Sequence, residues 1–246
     1  ADQAAKAPRD GHTLLLDASS LWIGPLLQPM RYDVLRDFAP ISTTDRAPNL
    51  LSVTPSLPVK SVKEFIALSK AKPGSINFGT GQPGTAGHLA SEYFKSVSGA
   101  DITRVSYKVG VQAITAAVTG EVHMVFSSIG SQSQHIKSGK LRALGVASLQ
   151  PSGLVPGIPT IASQGLPGFE AALVQGVLAP AKTPDAIIRR LNREIVAVLS
   201  SPDMREKYLT MGIEASPSTP EEFAGLIKSE VAKWDKVIKE AGIKAE

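Results

Sequence analysis

The stretch Ser75-Ile76-Asn77-Phe78-Gly79-Thr80-Gly81-Gln82-Pro83-Gly84-Thr85-Ala86-Gly87-His88 decides how this chain reads. Its apolar start at Ser75–Phe78 predicts a strand, its glycines a turn, and the periodic residues of Ala86–Ser98 a helix. Strand, small polar turn and helix make half of a βαβ unit, and the same unit recurs on both sides. Further strands are predicted at Thr13–Leu16, Leu50–Val53, Thr103–Tyr107, Met124–Phe126, Leu141–Ala147 and Val174–Leu178. Helical patterns lie at Val62–Ala71, Val111–Thr119 and Gly130–Ser138, the first opened by a capping box of Ser61 and Glu64. This alternation predicts an α/β fold with a largely parallel sheet.

After Gly165 the texture changes. Thr183-Pro184-Asp185 opens a long amphipathic helix carrying Ile187, Ile188, Leu191 and Ile195. Thr219-Pro220-Glu221-Glu222 opens another, with Phe223, Ile227, Val231, Trp234 and Ile238 at helical spacing. Two such helices need apolar surface to cover, and the strand at Thr13–Leu16 is the nearest candidate. Two lobes are therefore expected: residues 1–54 with 173–246, and a central lobe of residues 55–172. The opening Ala1–Asp10 reads as the tail of a helix broken at Pro8, without a signal-peptide pattern. The expectation is a chain cut from something longer.

Composition narrows the function. The 246 residues carry 26 basic and 22 acidic side chains, a net charge of +4, and 43% are hydrophobic. That supports a packed core and excludes wholesale disorder. Seven Phe, four Tyr and two Trp, with no basic stripe, give no platform for nucleic acid. No apolar run is long enough to span a bilayer, so direct membrane insertion is not expected. With no Cys and His12, His88, His123 and His135 scattered, neither a metal site nor a cofactor is expected.

In parallel sheets ligands bind where strands run into helices. The junctions here are Asp17-Ala18-Ser19-Ser20, Gly79–His88, Tyr107-Lys108-Val109-Gly110 and Ser127-Ser128-Ile129-Gly130. All are small and polar, without paired carboxylates, an activated nucleophile or a His–acid pair. They can hold a ligand but are poorly equipped to transform one, so no catalytic residue is named. The candidate ligand-binding residues are Ser19, Ser20, Thr80, Gly84, Thr85, Ala86, Gly87, His88, Tyr107 and Ser127. Gly84–His88 is the central element, because helix-start amides lack internal partners and favour an anion. The same letters also fit a plain turn with a helix cap. Gly79-x-Gly81-x-x-Gly84 with Asp101 matches the dinucleotide fingerprint as well, which keeps a nucleotide-dependent enzyme of doubly wound fold as the alternative. A truncated fragment without function is a third reading.

These residues resemble a known family. Asp10–Leu16, Leu35-Arg36-Asp37-Phe38-Ala39-Pro40, Asn77-Phe78-Gly79 with Gly84–Leu89, Ser106-Tyr107-Lys108, His135–Leu144, Gly165–Glu170 and Leu178-Ala179-Pro180 are similar, in order, to the Bug-type solute-binding receptors of tripartite tricarboxylate transporters. The resemblance implies a periplasmic, non-enzymatic receptor for a small carboxylate or other organic anion. It also implies a two-lobed periplasmic-binding-protein-like fold of mixed, largely parallel sheets, with the ligand in a cleft that closes like a hinge. Membrane permease subunits would be its partners. In this family the loop equivalent to Gly84–His88 grips a carboxylate. Three departures stand out: the family has further residues upstream, many members carry Asp where this chain has Ser127, and a common aromatic is replaced by Leu173-Val174-Gln175. The first predicts a chain that is less stable, stickier or weaker in binding than a longer version; the second turns the expected ligand away from amino acids.

Overall fold

A computed structural model describes residues 1–243. In chain order the elements are α1 (Asp2–Ala5), β1 (Leu15–Ala18), α2 (Ser20–Leu27), α3 (Val34–Asp37), β2 (Phe38–Val53), α4 (Val62–Ala71), β3 (Asn77–Thr80), α5 (Ala86–Ser98) and β4 (Thr103–Ser106). They continue as α6 (Gly110–Thr119), β5 (Met124–Ser128), α7 (Ile129–Lys137), β6 (Arg142–Val146), β7 (Ala172–Pro180), α8 (Asp185–Ser200), α9 (Pro202–Thr210), β8 (Glu214–Ala215) and α10 (Pro220–Ala241). The chain divides into two compact units. One holds Ala1–Arg46 and Leu173–Lys239; the other holds Ala47–Ala172 and the described residues 240–243. The chain passes between them inside β2 and again at the start of β7.

In the unit of residues 47–172 the strands run in the order β2-β5-β3-β4, and β6 also pairs with β2. β3 is parallel to β4 and to β5, as the βαβ alternation predicts. β2 runs antiparallel to both β5 and β6. The sheet is therefore mixed, and less parallel than expected. The reason lies in β2: its polar first two-thirds carry no clean apolar period, so the sequence shows only Leu50–Val53, yet all 16 residues are extended.

Helix α5 is held firmly in this unit. Phe94 meets Phe65 of α4 at 5.9 Å and Phe126 of β5 at 5.8 Å, and Tyr93 stacks on Phe169 at 4.8 Å. At its first turn Gly87 lets the helix touch the strand itself. A Cβ there would lie 2.5 Å from the carbonyl oxygen of Phe126, a distance no side chain tolerates. The aromatic cluster and this close approach fix where the helix begins.

In the other unit β1 pairs antiparallel with β7, and β8 with the first part of β2. Trp22 of α2 meets Phe223 of α10 edge-on at 5.9 Å. The Phe223 ring reaches β7 because Gly176 leaves room; a Cβ there would sit 2.4 Å from the ring. The capping box at the start of α10 forms as read: Thr219 Oγ1 accepts from the Glu222 amide, and the Glu222 carboxylate accepts from the Thr219 amide. Helices α2 and α9 went unread in the sequence. A proline inside the first and the short polar composition of the second hide their period.

Candidate functional site

The loop from β3 into α5 is five residues long, Gly81 to Thr85. Gly84 sits at φ +80°, a conformation glycine adopts without the steric cost other residues carry. The turn is tightened by Gln82, whose carbonyl accepts from both the amide of Thr85 (3.2 Å) and its hydroxyl (2.9 Å). Thr85 is thus the N-cap residue, but its hydroxyl faces back into the loop and caps nothing. Among the described residues the amides of Ala86, Gly87 and His88 donate to no acceptor; the first helical bond is Leu89 to Thr85. Thr85 and Ala86 are exposed. Three adjacent free donors at the positive end of a 13-residue helix are chemically a seat for an anion.

His88 does not offer a polar atom to this seat in the way its sequence position suggests. It is buried, and its Nδ1 accepts from the amide of Gly84 at 3.1 Å. That bond requires an unprotonated Nδ1. Burial first, and the nearby charge of Arg104 second, push the imidazole down to about 4, so it is neutral at physiological pH. Glu92 lies 3.7 Å from Nε2, but burial raises its pKa against the pull of Lys95 and Arg104. The contact is not an ion pair, because the histidine carries no charge. His88 works as an acceptor that holds Gly84 in its left-handed turn.

Arg104 is the residue at this loop that reading strand ends missed, because it stands inside β4. Its Nε donates to Thr80 Oγ1 at 3.0 Å, and its Nη2 to the Gly81 carbonyl at 3.3 Å and to Ser106 Oγ at 3.1 Å. A lone charged residue within a predicted strand was the available signal. Thr80, one of the expected ligand contacts, is buried and spends its hydroxyl proton on the Gly81 carbonyl at 2.9 Å. It has no proton left for a carboxylate.

The remaining candidates divide. Tyr107 donates its hydroxyl to Glu121 at 2.8 Å, and burial with that acidic partner pushes it up to about 12; the hydroxyl is already committed. Ser127, at the end of β5, shares a hydrogen bond of 2.9 Å with Ser131, which also meets Ser128 at 3.0 Å. Ser128 caps α7 through the Ser131 amide. Ser19 and Ser20 belong to the other unit. They do not form the expected loop: β1 runs through Ala18, Ser19 is the N-cap of α2 and Ser20 its first residue. Ser19 is buried while Ser20 is exposed.

The dinucleotide fingerprint fails on geometry. Gly79 lies within β3 and packs inward; a Cβ there would come within 3.0 Å of Val122 and 3.2 Å of Ala113. It serves helix–sheet packing and not phosphate approach. Asp101 precedes β4 and accepts from the Gly74 amide, at the opposite strand end from the loop. Among the described residues no cluster of His, Asp and Glu could hold a metal ion, and no helix is long and apolar enough to cross a membrane.

Residues 1–243 match the family described as tripartite tricarboxylate transporter family receptor. This chain belongs to that receptor family. Its relatives include Protein BugT of Bordetella pertussis, 36% identical over 99% of this chain and 76% of that protein. Among solved structures, an R. palustris protein with adipate is 34% identical with a TM-score of 0.76, covering 99% of this chain and 82% of that one. MatC from Rhodopseudomonas palustris with bound malate is 25% identical with a TM-score of 0.70, covering 96% and 82%. The family is one of receptors and not of enzymes, and its α/β fold with a mixed, open sheet is shared with these solved structures.

Proposed function

We propose that this receptor captures a small carboxylate through the amides of Ala86, Gly87 and His88 and delivers it, in the periplasm, to the permease subunits of a tripartite tricarboxylate transporter. The observation that carries the reading is the row of free amides beside a left-handed Gly84. Each amide bond to a charged acceptor contributes roughly 1.5–3 kcal/mol, so three supply about 4.5–9 kcal/mol, against about 8.2 kcal/mol for a micromolar site. The adipate and malate seen with its relatives support a dicarboxylate. Periplasmic location and the permease partner rest on family membership.

Thr85, Ala86, Gly87 and Gly84 form the proposed contact surface, with His88 fixing its shape. Ser127 is the next polar group of the same unit, and Ser19 and Ser20 belong to the proposal for the other unit. Calorimetric titration with adipate, malate and acetate, alongside mass spectrometry of any co-purified small molecule, tests the reading. Saturable heat with a dicarboxylate is the expected result. Tight retention of a nucleotide with no response to carboxylates would refute it.

A further inference from the structure

The Gly81–Thr85 loop is held by a cation that makes no close ion pair among the described residues. Arg104 is half-buried, and all its hydrogen bonds end on neutral oxygens: Thr80 Oγ1, the Gly81 carbonyl and Ser106 Oγ. It forms no ion pair among the described residues. A partly desolvated charge without a counter-charge is costly, and proteins ordinarily supply one. Glu92 feels that charge, which lowers its pKa against the larger raising effect of burial, but the two side chains make no salt bridge. Arg104 meanwhile sits close enough to His88 for its charge to resist protonation there, which places its field at the first turn of α5.

We infer that Arg104 is the residue that makes this site select ligands by charge, a bound carboxylate serving as a counter-ion close to its loop. The inference rests on the receptor reading and specifies its ligand class: carboxylates over neutral amides of the same shape. Arg104 acts as a positioning residue. Its fork of donors fixes Thr80 and Gly81, so the loop presents the amides of Ala86–His88 outward, and its charge adds to the helix dipole at the same place. Arginine suits both tasks because its planar fork binds several oxygens while its charge persists at any working pH. Lysine would keep the charge and lose the fork.

The test uses adipate and its neutral isostere adipamide with the full chain, titrated at low and at high NaCl. Wild type is expected to bind adipate far better than adipamide, with affinity that falls as salt rises. Arg104→Gln should weaken adipate about tenfold at low salt, flatten the salt dependence and narrow the preference over adipamide. Arg104→Lys should keep the salt dependence while recovering only part of the affinity, a pattern a merely structural residue would not give. It also serves if the glutamine variant folds poorly. Arg104→Gln with wild-type affinity and salt response, in a background where Gly84→Val abolishes binding, overturns the role of Arg104 and leaves the site standing. A wild type that binds no carboxylate overturns the receptor reading and this inference with it.

Discussion

Two junctions of the same unit, β3 into α5 and β5 into α7, leave parallel strands and look alike as letters, yet they differ in what they can offer. The β5–α7 turn is rich in hydroxyls, and those hydroxyls satisfy one another: Ser127 and Ser128 bond to Ser131, and Ser128 caps the helix. The β3–α5 turn has fewer side-chain donors, and its one exposed hydroxyl, on Thr85, turns back to Gln82. What remains open there is backbone. A helix left uncapped keeps its first amides available to an anion, and a capping serine takes one up.

Gly84→Val should break the comparison most severely. A β-branched residue at φ +80° is strongly disfavoured, and the turn aiming the amides would open; adipate affinity should fall by about a hundredfold or more, ~3 kcal/mol. Calorimetry with a parallel melting curve separates lost binding from lost folding.

The acid limb of stability comes next. His88 titrates near 6.5 when unfolded and about 4 when folded, so the folded chain resists a proton the unfolded chain accepts. The stability from neutral His88 is intact above pH 6.5, is lost as pH falls from 6.5 to 4, and the loss approaches roughly 3 kcal/mol. A His88→Gln variant keeps an acceptor for the Gly84 amide but does not titrate. Denaturant midpoints of the two proteins should therefore converge towards acid pH. Parallel pH profiles would contradict the neutral assignment.

Gly87→Ala sharpens the same junction from its packed side. The added methyl must push α5 off the Phe126 carbonyl, costing about 1–3 kcal/mol as overpacking does, measured by urea unfolding. The smallest effects should come from hydroxyls. Thr85→Ala removes a bond within the loop, so adipate affinity should drop less than about tenfold, around 1 kcal/mol. That is below the effect expected of a hydroxyl facing the ligand. Ser127→Ala should change affinity less still; a large loss there would make the β5–α7 turn a ligand contact after all.

Periodicity in the sequence determined the helices that carry the loops. Val62–Ala71 and Ala86–Ser98 are the bounds of α4 and α5, because a buried stripe and a cap are local properties of a chain. The seat proposed for the anion was read from the same kind of local signal: glycines followed directly by a helical pattern leave amides without partners whatever surrounds them. The polar half of β2, the antiparallel pairings it brings, and the separate helices α2 and α9 depended on contacts distant in sequence. So did the duties of the polar side chains. His88 looked like a ligand group and became a backbone acceptor, Thr80 and Tyr107 gave their hydroxyl protons to Gly81 and Glu121, and Arg104, read as part of a strand, took hold of the loop. A backbone donor at a helix start is orphaned by local geometry alone, whereas a side chain's partner is chosen by what the tertiary fold sets within about 3 Å of it.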